Sequence, residues 1–554
     1  MSSPQQTHRH GAPFGRRRIS RIDIDRPRPL DAAKALGRLR ISREARWVWL
    51  AIAGFVAMSV WWLGADDRVP DWDSGSHEYF AAVIHNELAS GALTRPFTDY
   101  NSYPPLVHLV GALSIFVAGL HPTTLILSSN IVFVPLLAFG CFGAARIAYG
   151  PRAGVLAAVL ALGSPMIVST MHEYYLDGPQ AAMIAVSVWA LLASRRFERV
   201  GMAALAGALG GLALMTKQTS VVFLAGFVVV AALRAGRDGR RGILAYTLAA
   251  LIVAAPWYID HAAQISSTYS VIGGLTPNPE QAPPLSSLSS FTWYGWNLVN
   301  EQLFAPLTVA FVIGIVLALR RLIRRGLDAA SVEPELLAGA FVSYLGMTVL
   351  VHKDPRYTLP MLVYVALLAT GWIATLSRAR WRAALSAAVV ALAAIYFVGI
   401  STGIGSTVQF RLPGSEHEVT LYDTAGWLRG PPAHDGDVGA LIAGLRAYGV
   451  RDVLLYTGPD PADFNDDGLS VMVMAAGLHV ADAGAFPAAE QASLVLSPAG
   501  TAGPPPCQRL NDGSRIYVVA GAAVGLDART LRDPAAPRRR YTLLCPGRPS
   551  LVYH

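Results

Sequence analysis

The amino-acid sequence predicts a polytopic α-helical membrane protein of about eleven spans, with a juxtamembrane or re-entrant helix and a C-terminal extracytoplasmic α/β domain. Three observations predict it. The 554 residues are 53% hydrophobic and only 15% charged, and apolar stretches repeatedly reach the ~20 residues that cross a bilayer core. Lys and Arg gather in short clusters between those stretches. Beyond Ser401, Gly, Pro and Asp become frequent and the apolar runs shrink to strand length.

The net charge of +8 does not point to nucleic acid, because the basic residues do not form an interleaved basic-aromatic face. They mark the cytoplasmic side of a membrane. Residues 1–47 read as a disordered basic cytoplasmic tail, rich in Pro, Gln, Ser and His at its start; residues 1–48 carry twelve Lys/Arg against four Asp/Glu. No small-residue cleavage site follows an N-terminal apolar region, so the tail is not read as a secretory signal. The Arg16-Arg17-Arg18 run is read as topogenic charge.

Residues 48–402 form the transmembrane domain. Its spans are expected at 48–64, 124–146, 153–171, 179–194, 202–216, 219–234, 243–259, 303–320, 335–351, 358–377 and 382–402. With alternating spans, the clusters at Arg146/Arg152, Arg195/Arg196/Arg199, Arg234 to Arg241, Arg320 to Arg325 and Arg378 to Arg382 all fall on one side, as the positive-inside rule requires. Leu106–Leu120 is about 22 Å long as a helix, too short for a ~30 Å core. It is read as lying in, or dipping into, the outer leaflet. Gly207, Gly210 and Gly211 lie in an apolar run and are read as a close helix contact.

Residues 403–554 read as a small extracytoplasmic α/β domain. Strands are expected at Val453–Tyr456, Ser493–Leu496, Ile516–Val519 and Tyr541–Leu544, and a helix at Asp437–Ala447, where Val438, Leu441, Ile442 and Leu445 share one face. Cys507 and Cys545 lie in this domain, and a disulfide between them is expected outside the cytoplasm, contributing roughly 3–4 kcal/mol in the chain-entropy model. Cys141 falls inside a span and is read as a small apolar core residue.

The chain shows no internal repeat, zinc-ligand spacing, Walker-type loop or nucleophile elbow. Its chemical content lies in polar groups that the expected topology places at one face. These are the first loop, 65–105, with Asp71, Asp73, His77 and Glu78; His172, Glu173 and Asp177; Lys217; and His352, Lys353, Arg356 and Tyr357. Ionisable residues at the hydrocarbon boundary are costly, which makes function the default reading. Asp73, His77, Glu78, His172, Glu173 and Asp177 offer ligands suited to Mg²⁺, Mn²⁺ or Zn²⁺, but no spacing among them is diagnostic, so metal dependence stays open.

Asp73-Ser74-Gly75-Ser76-His77-Glu78-Tyr79, followed by Tyr100-Asn101-Ser102-Tyr103-Pro104-Pro105-Leu106, resembles the first-loop pattern of the GT-C membrane glycosyltransferases, which include bacterial lipid A and protein-mannosyl transferase-like proteins. Ser74 stands where the commonest pattern has Glu. Leu176-Asp177, Gly211-Leu212-Ala213 with Lys217, and Arg356-Tyr357-x-Leu359-Pro360 resemble later motifs, so the likeness covers roughly residues 50–380.

The resemblance implies an enzyme of the bacterial plasma (inner) membrane. It would move a sugar from a polyprenyl-phosphate donor to an envelope glycan, lipid or protein on the extracytoplasmic face, usually with inversion. Asp73 is then the expected general base. Lys217, His352, Lys353 and Arg356 are expected at the carrier phosphate, and His77, Glu78, Tyr103, Asp177 and Tyr357 elsewhere in substrate binding. Two other classes are weighed against it. A transporter or flippase would tend to show paired repeats and midplane polar groups, and a glycan-binding scaffold would need no base.

Overall fold

The computed structural model describes residues 42–66, 68–98, 103–272, 283–327, 331–415, 417–431, 442, 452–457, 466–480, 515–521, 540–544 and 551–553. The chain is mostly helical. Among the described residues, six helices are long and apolar enough to cross a membrane, or seven if one bent pair is a single span.

Each expected span has a helix. In chain order these are α1 (Arg43–Ala65), α5 (Pro122–Tyr149), α6 (Pro151–Leu162) with α7 (Pro165–Met171), α8 (Asp177–Ala193), α9 (Val200–Leu214), α10 (Ser220–Leu233), α11 (Arg240–Asp260), α14 (Phe304–Arg325), α15 (Glu333–Thr348), α16 (Leu362–Ala374) and α17 (Ala379–Thr402). α8, α9 and α10 are apolar but shorter than the six long helices. The run read as an outer-leaflet helix is α4 (Leu106–Ala118), only 13 residues long.

Between these lie α2 (Trp72–Ala89), α3 (Arg95–Thr98), α12 (Ala262–Ile272) and α13 (Leu288–Asn297). A π-helical turn at Leu298–Gln302 precedes α14 and a 3₁₀ helix at Pro355–Met361 precedes α16.

Local chemistry explains the breaks. α6 and α7 meet at 58° because Pro165 offers no N–H to continue the ladder and disfavours helical backbone at Ser164. Gly150, at φ 98°, makes the turn from α5 into α6, a conformation that glycine adopts without steric penalty. The glycines of α9 do serve a close contact: a Cβ at Gly207 would collide with the Tyr246 carbonyl of α11, and one at Gly211 would lie 2.9 Å from the Ala250 oxygen.

Burial sorts the helices. The most apolar window of 355–374 is 83% buried, whereas that of 237–260 is 17% buried. A segment apolar all round and buried all round belongs to the interior, and one apolar but uncovered faces lipid. Cys141 is buried in α5, as read from the sequence.

After α17 the chain forms an antiparallel hairpin, β1 (Val408–Arg411) with β2 (Glu418–Tyr422). The described strands beyond it make one mixed sheet of β3 (Asp452–Thr457), β4 (His479–Val480), β5 (Arg515–Gly521), β6 (Arg540–Leu544) and β7 (Leu551–Tyr553), in the order β4-β3-β5-β6-β7. β3 runs parallel to β4 and β5; the other pairs are antiparallel. Three expected strands fall within β3, β5 and β6. The strand at 493–496, Cys507, Cys545 and all of the helix at 437–447 but Ile442 lie outside the described residues. A helix the sequence did not suggest, α18 (Asp466–Ala475), packs on α2.

Candidate active site

The first loop is largely helical, which its sequence did not suggest: α2 has no apolar stripe to betray it. Asp71 sits at its N-cap and Asp73 in its first turn, where backbone N–H groups and the helix dipole favour negative charge. Helical spacing then separates the polar residues onto two sides.

Asp73 and His77, four residues apart, face the 3₁₀ helix and α4. The Asp73 Oδ2 accepts from Arg356 Nη2 at 3.0 Å. Arg356 is also held by Asp354 through a two-pronged contact, Nε to Oδ1 at 3.0 Å and Nη2 to Oδ2 at 2.7 Å. The same Asp354 Oδ1 caps the 3₁₀ helix by accepting from the Arg356 N–H at 2.8 Å. Beneath the guanidinium lies the Tyr175 ring, 4.2 Å from the Arg356 Cζ, and the Tyr175 hydroxyl donates to Asp71 Oδ1 at 2.7 Å. Arg356 is thus fixed on three sides, by two carboxylates and an aromatic face. Its side chain is 8% exposed, against 39% for Asp73, so Asp73 is the member open to an incoming group.

A second cation lies alongside. Lys217 Nζ donates to Asp177 Oδ1 at 2.7 Å and stands 4.9 Å from the centre of the Tyr357 ring, next in sequence to Arg356. The His352 ring lies 5.9 Å from that of Tyr357. Along α2, His77 Nδ1 is 3.2 Å from His108 Nε2, and the Tyr103 ring meets His77 edge-on at 4.8 Å. Burial, and then the positive charge of Lys217 and Arg356, pushes His77 well below the usual imidazole range, so it is a neutral hydrogen-bonding group there.

The structure brings Asp73, Asp177, Lys217, Arg356 and Tyr357 together, with His77, Tyr103 and His352 beside them. Lys353 is placed differently. Its ammonium donates to the carbonyls of Thr348 at 2.8 Å and Leu350 at 3.1 Å, capping the end of α15 where cations are favoured. Glu78 lies on the opposite side of α2, buried, with Asp71 and Ser74. Ser74 Oγ accepts from the Tyr174 N–H at 2.9 Å, and the Tyr174 hydroxyl donates to the Val107 carbonyl at 2.7 Å, tying α2 to α4.

Sequence reasoning assigned no role to Asp354, Tyr175 or His108. The Asp-Pro-Arg order carried a usable signal for the first, since an Asp before Pro at a helix start is a cap. The other two have none, because their partners are 104 and 31 residues away.

Among the described residues no three His, Cys, Asp or Glu side chains are grouped so as to hold a metal ion. The candidate ligands do not fit one as they stand: Asp73 and Asp177 are engaged by cations, Glu173 pairs with Arg68 at 3.0 Å, and Glu78 lies across α2.

The helical domain, whose first-loop helix carries the acidic site, agrees with the resemblance read from the motifs, and the comparisons below bear on it at the level of fold. Residues 102–259 match the dolichyl-phosphate-mannose-protein mannosyltransferase family. The chain is similar to the crystal structure of ArnT from Cupriavidus metallidurans bound to undecaprenyl phosphate, with a TM-score of 0.57 and 15% identity over 92% of this chain and 98% of that one. It is similar too to the apo state of the same protein, with a TM-score of 0.54 and 16% identity over 86% and 94%. At these identities the likeness is one of fold. A comparison with curated proteins finds no match.

Proposed function

We propose that this multi-pass membrane protein is a glycosyltransferase that moves a sugar from a polyprenyl-phosphate carrier to a hydroxyl of a cell-envelope acceptor, on the extracytoplasmic face of the plasma membrane. One observation carries the reading: a half-exposed carboxylate, Asp73, stands 3.0 Å from a buried, fully oriented guanidinium, Arg356, with the Lys217 ammonium on the ring of the adjacent Tyr357. A base and two fixed cations at the membrane boundary are what transfer from a lipid phosphate requires. The ArnT structure with undecaprenyl phosphate, on the same fold, supports the carrier class.

In the reaction the acceptor oxygen forms a bond to the anomeric carbon while the bond from that carbon to the phosphate oxygen breaks. The electron pair leaves with the carrier phosphate, and the acceptor proton passes to Asp73. Arg356, clamped by Asp354 and Tyr175, meets the growing phosphate charge without having to reorganise. A phosphate drawn to Arg356 competes with Asp73 for Nη2 while Asp354 keeps its hold, which frees the Asp73 carboxylate as the donor arrives. Attack opposite the leaving phosphate gives inversion. The clusters from Arg146 to Arg382 assign the N-terminal tail to the cytoplasm and the C-terminal segment to the opposite side. The proposed domain divisions at residues 47 and 402 rest on the change in composition at each.

The test is transfer by purified protein in detergent, with a short synthetic polyprenyl-phosphate sugar as donor and an envelope extract as acceptor. A transferase turns over without a compartment. A flippase or a scaffold releases no carrier phosphate, and that result would overturn the proposal.

A further inference from the structure

The side of α2 turned away from Arg356 lines a separate cavity of about 200 Å³, many times the 10–15 Å³ or so that one ordered water needs. Asp71 and Glu78 reach it from α2, Asp66 and Arg68 from the segment before it, and His172 and Glu173 from the end of α7; Asp73, Lys217 and Arg356 are not part of it. Glu78 is wholly buried, and neither carboxyl oxygen has a hydrogen-bond partner among the described residues. The same holds for Nε2 of His172, which is 2% exposed. Unsatisfied buried polar groups destabilise a fold. A leucine in place of Glu78 would remove that cost, so a carboxyl there makes sense as half of an interaction that a ligand completes.

The charges in the cavity say which ligand. Arg68 pairs with Asp66 at 2.9 Å and with Glu173 at 3.0 Å, so each of those carboxylates already has a cationic partner. Burial, then the Glu173 carboxylate, raises Asp71 to about 7 and raises Glu78 well above the usual carboxyl range. What remains open are the hydrogen-bonding atoms of Glu78 and His172, with Asp71 beside them. Apolar walls face them: Leu63 and Val69 on one side, and Ile442 and Met472 from the C-terminal segment on the other. Hydroxyls that both donate and accept, set on a ring with an apolar face, match such a lining. Tyr175 joins this cavity to the reaction site, since its ring lies under Arg356 and its hydroxyl donates to Asp71. α18 closes it, held to α2 by a bond of 2.5 Å from Ser76 Oγ to Asp467 Oδ2.

We infer that this cavity is a subsite for an uncharged sugar ring of the acceptor, with Glu78, His172 and Asp71 hydrogen-bonding its hydroxyls and α18 forming its outer wall. The inference rests on the transferase reading for the word acceptor, and on the cavity alone for the ligand class.

The experiment is equilibrium binding to the full-length protein in detergent, followed by saturation-transfer NMR. The probes are neutral methyl hexosides and pentosides, their amino-sugar and uronic-acid counterparts, and a short prenyl-phosphate sugar as competitor. A neutral glycoside should bind the wild type and Glu78→Gln alike and bind Glu78→Leu at least tenfold more weakly, while Glu78→Leu melts no lower than wild type. The prenyl-phosphate sugar should leave that binding in place. Binding of no neutral glycoside, preference for the charged sugars, unchanged binding by Glu78→Leu, or displacement by the prenyl-phosphate sugar would each overturn the inference. Because the readout is binding, a failure of the transferase reading shows separately, as absent turnover with glycoside binding intact.

Discussion

Replacing Asp73 by Asn separates chemistry from architecture at this site. The substitution keeps size and hydrogen-bonding capacity and removes the charge that accepts the acceptor proton. Its structural cost is small: the Asp73 side chain is 39% exposed, and pairs of that kind contribute about 0–1 kcal/mol. Arg356 stays held by Asp354 and by Tyr175. The catalytic cost is large, since positioned general-base catalysis is worth about 10²–10⁴ in rate, or roughly 3–5 kcal/mol at about 1.4 kcal/mol per factor of ten. Donor binding should change little. Arg356→Ala must behave differently. It strands Asp354, whose side chain is 14% exposed, and loss of one partner of a buried pair costs about 3–5 kcal/mol; it also weakens donor binding, because the cation meets phosphate in both ground and transition states. The assay is transfer from a synthetic polyprenyl-phosphate sugar, with donor binding and thermal melting measured on each purified variant. An Asp73→Asn enzyme that turns over at the wild-type rate would refute the assignment of the base.

Three further outcomes are expected. Topology reporters fused at Arg40 and at His554 should give opposite signals, and equal signals would restore Leu106–Leu120 as a full crossing. Non-reducing mass spectrometry should find Cys507 linked to Cys545 and Cys141 free; free thiols at both positions would count against the oxidising location. Asp71 binds its proton more tightly folded than unfolded, rising from 3.8 to about 7, so its contribution to stability is complete below about pH 4 and is lost as pH rises through 7; the melting temperature of wild type should therefore fall between pH 5 and 8 relative to that of Asp71→Asn, and parallel curves would refute the shift.

The class of protein was legible in the linear chain because its signals are local. An apolar run of span length, a cluster of arginines or a strand-length alternation is read within about twenty residues, and each expected span and three of four expected strands have their element. The first-loop motif likewise pointed to Asp73, and the later ones to Lys217 and Arg356. Residues in register along the chain say little about which side of a helix they share when that helix has no apolar stripe, and α2 has none. Only the tertiary structure therefore divided Asp73 from Glu78, sending one to Arg356 and the other into a separate cavity. It also turned Lys353 to the end of α15, although Lys353 and Arg356 are three residues apart in sequence, because Asp354 caps the 3₁₀ helix and directs the two cations differently. The partners that fix Arg356 come from residues 73, 175 and 354, brought together by packing of long helices over separations that no local pattern records.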